Sequence, residues 1–191
     1  ARPAPRGFAA DGVIIGSGTG GIATFEENMR TFIEKGPSRV SPFFVPMFMA
    51  NVASAIVSMR FGFQGPCYCT VSACASSGHG IGEAFETIRR GDALMMFAGG
   101  TESGMHEALV GGFTAMRALS SRNDDPARAS RPFDKGRDGF VMGEGAGMLQ
   151  DDAPGQRAVL LRADALRRVA GHEVVHFLLE IALFDDEVLL E

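Results

Sequence analysis

Residues 66–100 read PCYCTVSACASSGHGIGEAFETIRRGDALMMFAGG, and three segments of different periodicity follow one another within them. PCYCTVSA (66–73) alternates and is partly β-branched, the pattern of a strand. SSGHGIGEAFETIRRGD (76–92) has helical spacing with small residues on one face, with Ser76 or Ser77 to cap its start and Gly91 to end it. ALMMFAGG (93–100) is a short apolar run, the mark of a buried strand. Strand, helix and strand in this order predict a βαβ crossover, a parallel sheet and helices on both of its faces. The fold class is therefore α/β.

The flanking segments extend this pattern. GVIIGSGTGGIATF (12–25) is a buried strand that breaks into glycines, and FEENMRTFIEKGP (25–37) is a helix closed by Gly36 and Pro37. VSPFFVPMFMANVASAIVSMRFG (40–62) is apolar almost throughout, with a helix expected to begin after Pro46 and stop at Gly62. SSRNDDPARASRPFDKGRDG (120–139) is a polar loop too long for a plain connection. FVMGEGAGMLQ (140–150) returns to strand. From Asp151 the glycines give way to Leu, Val, Arg and acid, so a boundary is expected near residue 150, with residues 1–150 as one unit and 151–191 as a helical tail.

The 191 residues are 46% hydrophobic, enough to fill a core. A net charge of −5 gives no positive field to attract nucleic acid or an anionic membrane, so neither is expected as a partner. No apolar run approaches the roughly 20 residues of a membrane span. The first twelve residues carry no apolar stretch of a secretory signal. Cys67, Cys69 and Cys74 are an odd number in a short segment and suit reduced thiols, so the expected location is cytoplasmic.

Three motifs carry chemistry. Cys74 lies between a strand and a helix, where a thiol can face N–H groups and the positive end of a helix dipole, and its small neighbours admit a substrate carbonyl. The backbone N–H of Cys74 is itself a candidate oxyanion donor. The alternative is a small buried hydrophobe, the reading given to Cys67 and Cys69 on one face of the strand. Gly16, Gly18 and Gly21 form a GxGxxG pattern, but no strand bearing a ribose-binding acid follows about 20 residues on, which favours a tight turn beside a pocket over a dinucleotide loop. HEVVH (172–176) places His172 and His176 one turn apart with Glu173 beside them, as in zinc hydrolases, yet only Glu187 or Glu191 remains as a third ligand. His79, five residues past Cys74, falls on another helix face, and with His106 is read as structural.

VSPFFVP (40–46), TVSACASSGHGIGEAF (70–85), IRRGDA (88–93), AGGTES (98–103) and GGFTAMRALSSRNDDPARASRPFDKGRDGFVMGEGAG (111–147) together resemble the β-ketoacyl-acyl carrier protein synthase II family, from about Gly12 to Leu149. The resemblance implies a thiolase-like, layered α/β/α fold with a mostly parallel sheet, of which this chain carries the N-terminal half. It implies Cys74 as the nucleophile that accepts an acyl chain as thioester. Thr19 and Phe113 would line the acyl tunnel, with Phe44 reaching into the pocket of the other subunit of a homodimer. Arg39 and Arg117 match basic positions that grip the acidic carrier protein, and PCYCTVSA would pair across the two-fold axis. No cofactor and no metal are implied.

Members of this family complete their site with two histidines, a lysine and a glycine-phenylalanine loop from a second half, and none of these motifs occurs in the 191 residues. The activity expected is therefore acyl transfer from acyl carrier protein to Cys74, with decarboxylative condensation with malonyl carrier protein incomplete in this chain. The alternatives are a non-catalytic dimerising or carrier-binding module and a zinc hydrolase built on the tail.

Overall fold

The structure, a computed structural model, describes residues 11–152, 159–163 and 181–183, the residues beyond 150 by their backbone alone. His172, Glu173, His176, Glu187 and Glu191 lie outside the described residues.

The described residues divide into two units, one formed by those up to Ser103 together with those from Gly145 onward, the other by Gly104–Glu144. In the first unit β1 (Gly12–Gly16) leads through α1 (Ile22–Lys35), a 3₁₀ turn at Pro37–Arg39, α2 (Phe44–Phe48) and α3 (Val52–Phe61) to β2 (Cys67–Tyr68). Then α4 (Ser76–Arg90) leads to β3 (Met95–Glu102). The second unit contains α5 (Glu107–Ala115) and the long polar loop. β4 (Gly145–Asp152), β5 (Val159–Ala163) and β6 (Ile181–Leu183) return to the first unit's sheet, whose order is β2-β1-β3-β4-β5-β6.

β1 pairs in parallel with both β2 and β3, as the strand-helix-strand reading requires. β4, β5 and β6 add antiparallel neighbours, so the sheet is mixed and its parallel part is confined to β2-β1-β3. β1 reads as an unbroken apolar run because both of its faces are covered. Val13 and Ile15 point into a cluster with Ala53, Val57 and Met148 under α3. Ile14 points the other way, into a cluster with Ala84, Ile88, Met96 and Ala98 under α4. Burying one such side chain stabilises the fold by about 1.5–3 kcal/mol, so this strand anchors both helical layers. Ser54, fully buried, links two strands by accepting the Ile15 N–H at 3.0 Å and donating to the Tyr68 carbonyl at 2.8 Å.

Two expectations need correction. The helix expected to begin after Pro46 and stop at Gly62 is two helices, the first starting before Pro46. Pro46 sits in the first turn of α2, where an N–H has no intrahelical partner to lose. The chain then turns extended at Met49, with the Phe48 carbonyl accepting the Gly21 N–H at 3.1 Å. The strand predicted over residues 66–73 pairs only at Cys67–Tyr68. Beyond it the Thr70 carbonyl still accepts the Ser17 N–H, after which the chain bends away toward α4.

Candidate active site

The bend between β2 and α4 holds Cys74. Ala73, just before it, has φ 52°, a left-handed backbone that an L-residue adopts only at a cost of about 1–2 kcal/mol. The thiol is exposed, so the reading of Cys74 as a small core residue is set aside. The two flanking turns close through Ala75 N–H to the Ser72 carbonyl and Ser76 N–H to the Ala73 carbonyl, both at 3.1 Å.

The predicted caps act differently from expectation. Ala75 occupies the cap position of α4 and makes no side-chain cap bond. The Ser76 hydroxyl faces backward instead, accepting the Ser72 N–H at 2.8 Å and donating to the Ala73 carbonyl at 2.7 Å. The Thr70 hydroxyl donates to the Ser76 carbonyl at 2.8 Å. His79 lies 2.6 Å through Nδ1 from the Ser72 hydroxyl, so it joins the bend rather than standing apart.

The glycine-rich turn after β1 reaches the same bend. A Cβ on Gly18 would meet the Ala73 carbonyl oxygen at 3.6 Å, so the turn passes the bend at a distance that one added methyl group would bridge. The turn wraps the carboxylate of Glu102, which accepts from the Ser17 hydroxyl at 3.2 Å, the Thr19 hydroxyl at 2.6 Å and the Gly18 N–H. Glu102 is the organising residue that sequence reasoning missed, although the quoted AGGTES contains it. A pocket beside the turn is lined by Ser17, Gly20, Gly21, Thr101 and Glu102. The GxGxxG segment is thus a turn closed on a carboxylate, with a pocket at its side.

Cys69 lies near this carboxylate. Burial pushes its thiol above the ordinary value, the Ser17 N–H opposes the shift, and the Glu102 charge adds to it. Cys67 is exposed and Cys69 half-buried, which corrects the expectation of two core thiols, since β2 is the edge strand of this sheet. Among the described residues no group of three His, Cys, Asp or Glu is placed to hold a metal ion.

Comparison with known proteins decides the family. The profile for the Beta-ketoacyl synthase, N-terminal domain, matches residues 5–150. The chain belongs to this family. Over 138 residues, 72% of the chain, it is 51% identical to a 3-oxoacyl-[acyl-carrier-protein] synthase 2 of Synechocystis sp., of which it covers 33%. Over the same share it is 54% identical to the 3-oxoacyl-[acyl-carrier-protein] synthase 2 of Staphylococcus aureus, covering 34%. The chain spans about a third of the length of these relatives. A β-ketoacyl synthase from Burkholderia phymatum superposes with a TM-score of 0.68 at 31% identity, over 84% of this chain and 41% of that one. A type II PKS ketosynthase, solved in complex with its acyl-carrier protein, superposes with a TM-score of 0.68 at 29% identity, over 85% and 43%. The fold is therefore the thiolase-like α/β fold of the ketosynthases, with α3 and α4 on opposite faces of the sheet.

Of the residues that the resemblance singled out in this synthase domain, Cys74 and Thr19 stand on the neighbouring bend and turn. Phe44 is half-buried within this chain, its ring 6.1 Å from Phe25 and 5.7 Å from Phe48, while Phe43 is the exposed member of the pair. Arg39 is exposed on the 3₁₀ turn. In the second unit Phe113, on α5, meets Phe140 edge-on at 5.2 Å. Arg117, exposed and left-handed at φ 56°, ends α5.

Proposed function

We propose that this chain carries the nucleophilic half of a 3-oxoacyl-acyl carrier protein synthase. Cys74 Sγ attacks the carbonyl carbon of an acyl thioester presented by acyl carrier protein. The tetrahedral intermediate collapses by breaking the bond to the carrier's sulfur, which leaves as a thiolate and takes up a proton. The acyl group then stays on Cys74 as a thioester. The observation that carries this reading is the exposed Cys74 beside a left-handed Ala73 at the start of the 15-residue α4. Positive helix-end charge and small neighbours favour a nucleophile there.

Condensation follows when a malonyl carrier protein loses carbon dioxide and its carbanion displaces the Cys74 sulfur. That step is assigned to this chain only together with groups from outside residues 12–149. Thr19 and Phe113 are proposed to line the acyl tunnel, Phe44 to serve the partner's pocket, and Arg39 and Arg117, both exposed, to hold the acidic carrier. Homodimerisation through the edge strand β2 is supported by the exposure of Cys67, Tyr68 and Val71. No helix among the described residues is long and apolar enough to cross a membrane. The three free thiols support a reducing, cytoplasmic setting.

The test is intact mass after incubation with an acyl-carrier-protein thioester. An adduct of one acyl group on the wild type and none on Cys74→Ser supports the reading. No adduct on either, with salt-sensitive carrier binding retained, would leave a carrier-binding module in its place.

A further inference from the structure

We propose that Ser76 is a positioning residue for Cys74, with Ser72 and His79 completing its brace. The inference rests on the acyl-transfer reading and adds residues that act through the nucleophile without touching substrate. A left-handed non-glycine residue persists only where its surroundings over-determine it. At Ala73 those surroundings are specific. The Ser76 hydroxyl, on a residue only 3% exposed, holds the Ser72 N–H with its lone pair and the Ala73 carbonyl with its proton. The Ser76 N–H bonds the same carbonyl, so two donors fix one oxygen.

That oxygen belongs to the planar peptide joining Ala73 to Cys74. In a trans peptide the N–H points opposite to the C=O. Pinning the Ala73 carbonyl toward Ser76 therefore turns the Cys74 N–H away from the helix interior, the direction in which it is free to donate to an oxyanion. On the other side of Ala73, the Ser72 hydroxyl lies 2.6 Å from His79 Nδ1, and the His79 N–H bonds the Ala75 carbonyl at 2.9 Å. His79 thus ties the approach to the bend onto the first turn of α4. Its role needs a hydrogen-bonding atom at Nδ1 and no basicity.

Two rates on the 191-residue chain test this: acylation of Cys74 by an acyl thioester, and its alkylation by iodoacetamide, which needs only a reachable thiol. Ser76→Ala should slow acylation by about 10- to 100-fold, the scale of a displaced reacting group, and leave alkylation unchanged. His79→Ala should slow acylation less, and His79→Asn, whose amide reaches the Nδ1 position without acting as a base, should restore it. Wild-type acylation rates in Ser76→Ala would overturn the proposal. So would a fall in both rates together in a Ser76→Ala chain that keeps its circular dichroism. If Ser76→Ala does not fold, the His79 pair decides, and failure of Asn to restore the rate overturns the brace. If the wild type forms no adduct, the functional reading fails by itself. The brace is then judged by the Cys74 amide proton, whose NMR resonance must shift and exchange faster in Ser76→Ala, and an unmoved resonance overturns it.

Discussion

Gly16 at the end of β1 packs so closely under Ser76 that a Cβ there would overlap the Ser76 carbonyl group. The obstructing atoms are backbone and cannot swing aside, so Gly16→Ala must push the start of α4 off the sheet. Overpacking of this kind costs about 1–3 kcal/mol. We expect a lowered urea midpoint and a slower acylation of Cys74, which rides on the displaced turn. Gly100→Ala should be milder, because its first obstacle is the hydroxyl of the exposed Ser77, and adding Ser77→Ala should recover part of its loss. Equal urea midpoints for wild type and Gly16→Ala would show that α4 is not seated on this glycine.

Glu102 gathers Ser17, Gly18 and Thr19 with one carboxylate. Glu102→Gln replaces the charged acceptor of these bonds by a neutral amide, whose NH2 either opposes the Gly18 N–H or obliges the Ser17 and Thr19 hydroxyls to reverse and accept. Hydrogen bonds to a charged acceptor contribute about 1.5–3 kcal/mol each, and the replacement should destabilise the chain by an amount in that range. The same substitution weakens or reverses the bond that orients the Thr19 hydroxyl, so selectivity among acyl chain lengths should change as well if Thr19 lines the acyl tunnel as proposed. Matching urea curves and matching acyl preferences for the two proteins would remove Glu102 from this role.

The parts of the fold that depend on local pattern were legible in the sequence. The β1, α4 and β3 segments follow from apolar runs and helical spacing, and Gly36 and Gly91 end their helices where expected. The bend at Cys74 was readable from its small residues between strand and helix. What was not legible depends on partners distant in sequence. The donors to Glu102 lie 83 to 85 residues upstream, so its acid reads locally as an ordinary charge at a strand end. The break between α2 and α3 follows from the Gly21 N–H capturing the Phe48 carbonyl, which no property of residues 40–62 announces. The left-handed Ala73 carries no glycine to signal it, and the ring cluster that shelters Phe44 is completed by Phe25 from α1.

The three thiols should separate by reactivity. Cys67 and Cys74 are exposed, whereas Cys69 is half-buried and burial holds its thiol above the ordinary value. Only the thiolate attacks an electrophile, so at neutral pH two thiols per chain should react promptly with a disulfide reagent and Cys69 should lag. Raising the pH should speed Cys69 over a range displaced upward from a free thiol. Glu102→Gln should shift that range downward by removing the charge that adds to burial in disfavouring the thiolate. Mass mapping of partially labelled chains checks the order, and prompt labelling of Cys69 at neutral pH would contradict it.

The second unit should loosen in acid through two aspartates. The Gly136 N–H holds Asp134 below its ordinary value of 3.8, helped by Arg131, and the Ser120 hydroxyl does the same for Asp138, helped by the Ser121 N–H. Because both folded-state values are depressed, the unfolded loop binds protons more readily than the folded one. Their contribution is then fully present above the unfolded value and is lost as pH falls through the folded values. Asp138 is exposed and Asp134 partly so, which makes the effect local and weaker in salt. Amide exchange over residues 120–139, corrected for its intrinsic pH dependence, should show protection constant from neutral pH down to about 5 and falling below 4. Asp134→Asn and Asp138→Asn should each lower the protection at neutral pH and flatten its fall in acid. Protection that declines with the same profile in both variants as in the wild type would place the acid response elsewhere.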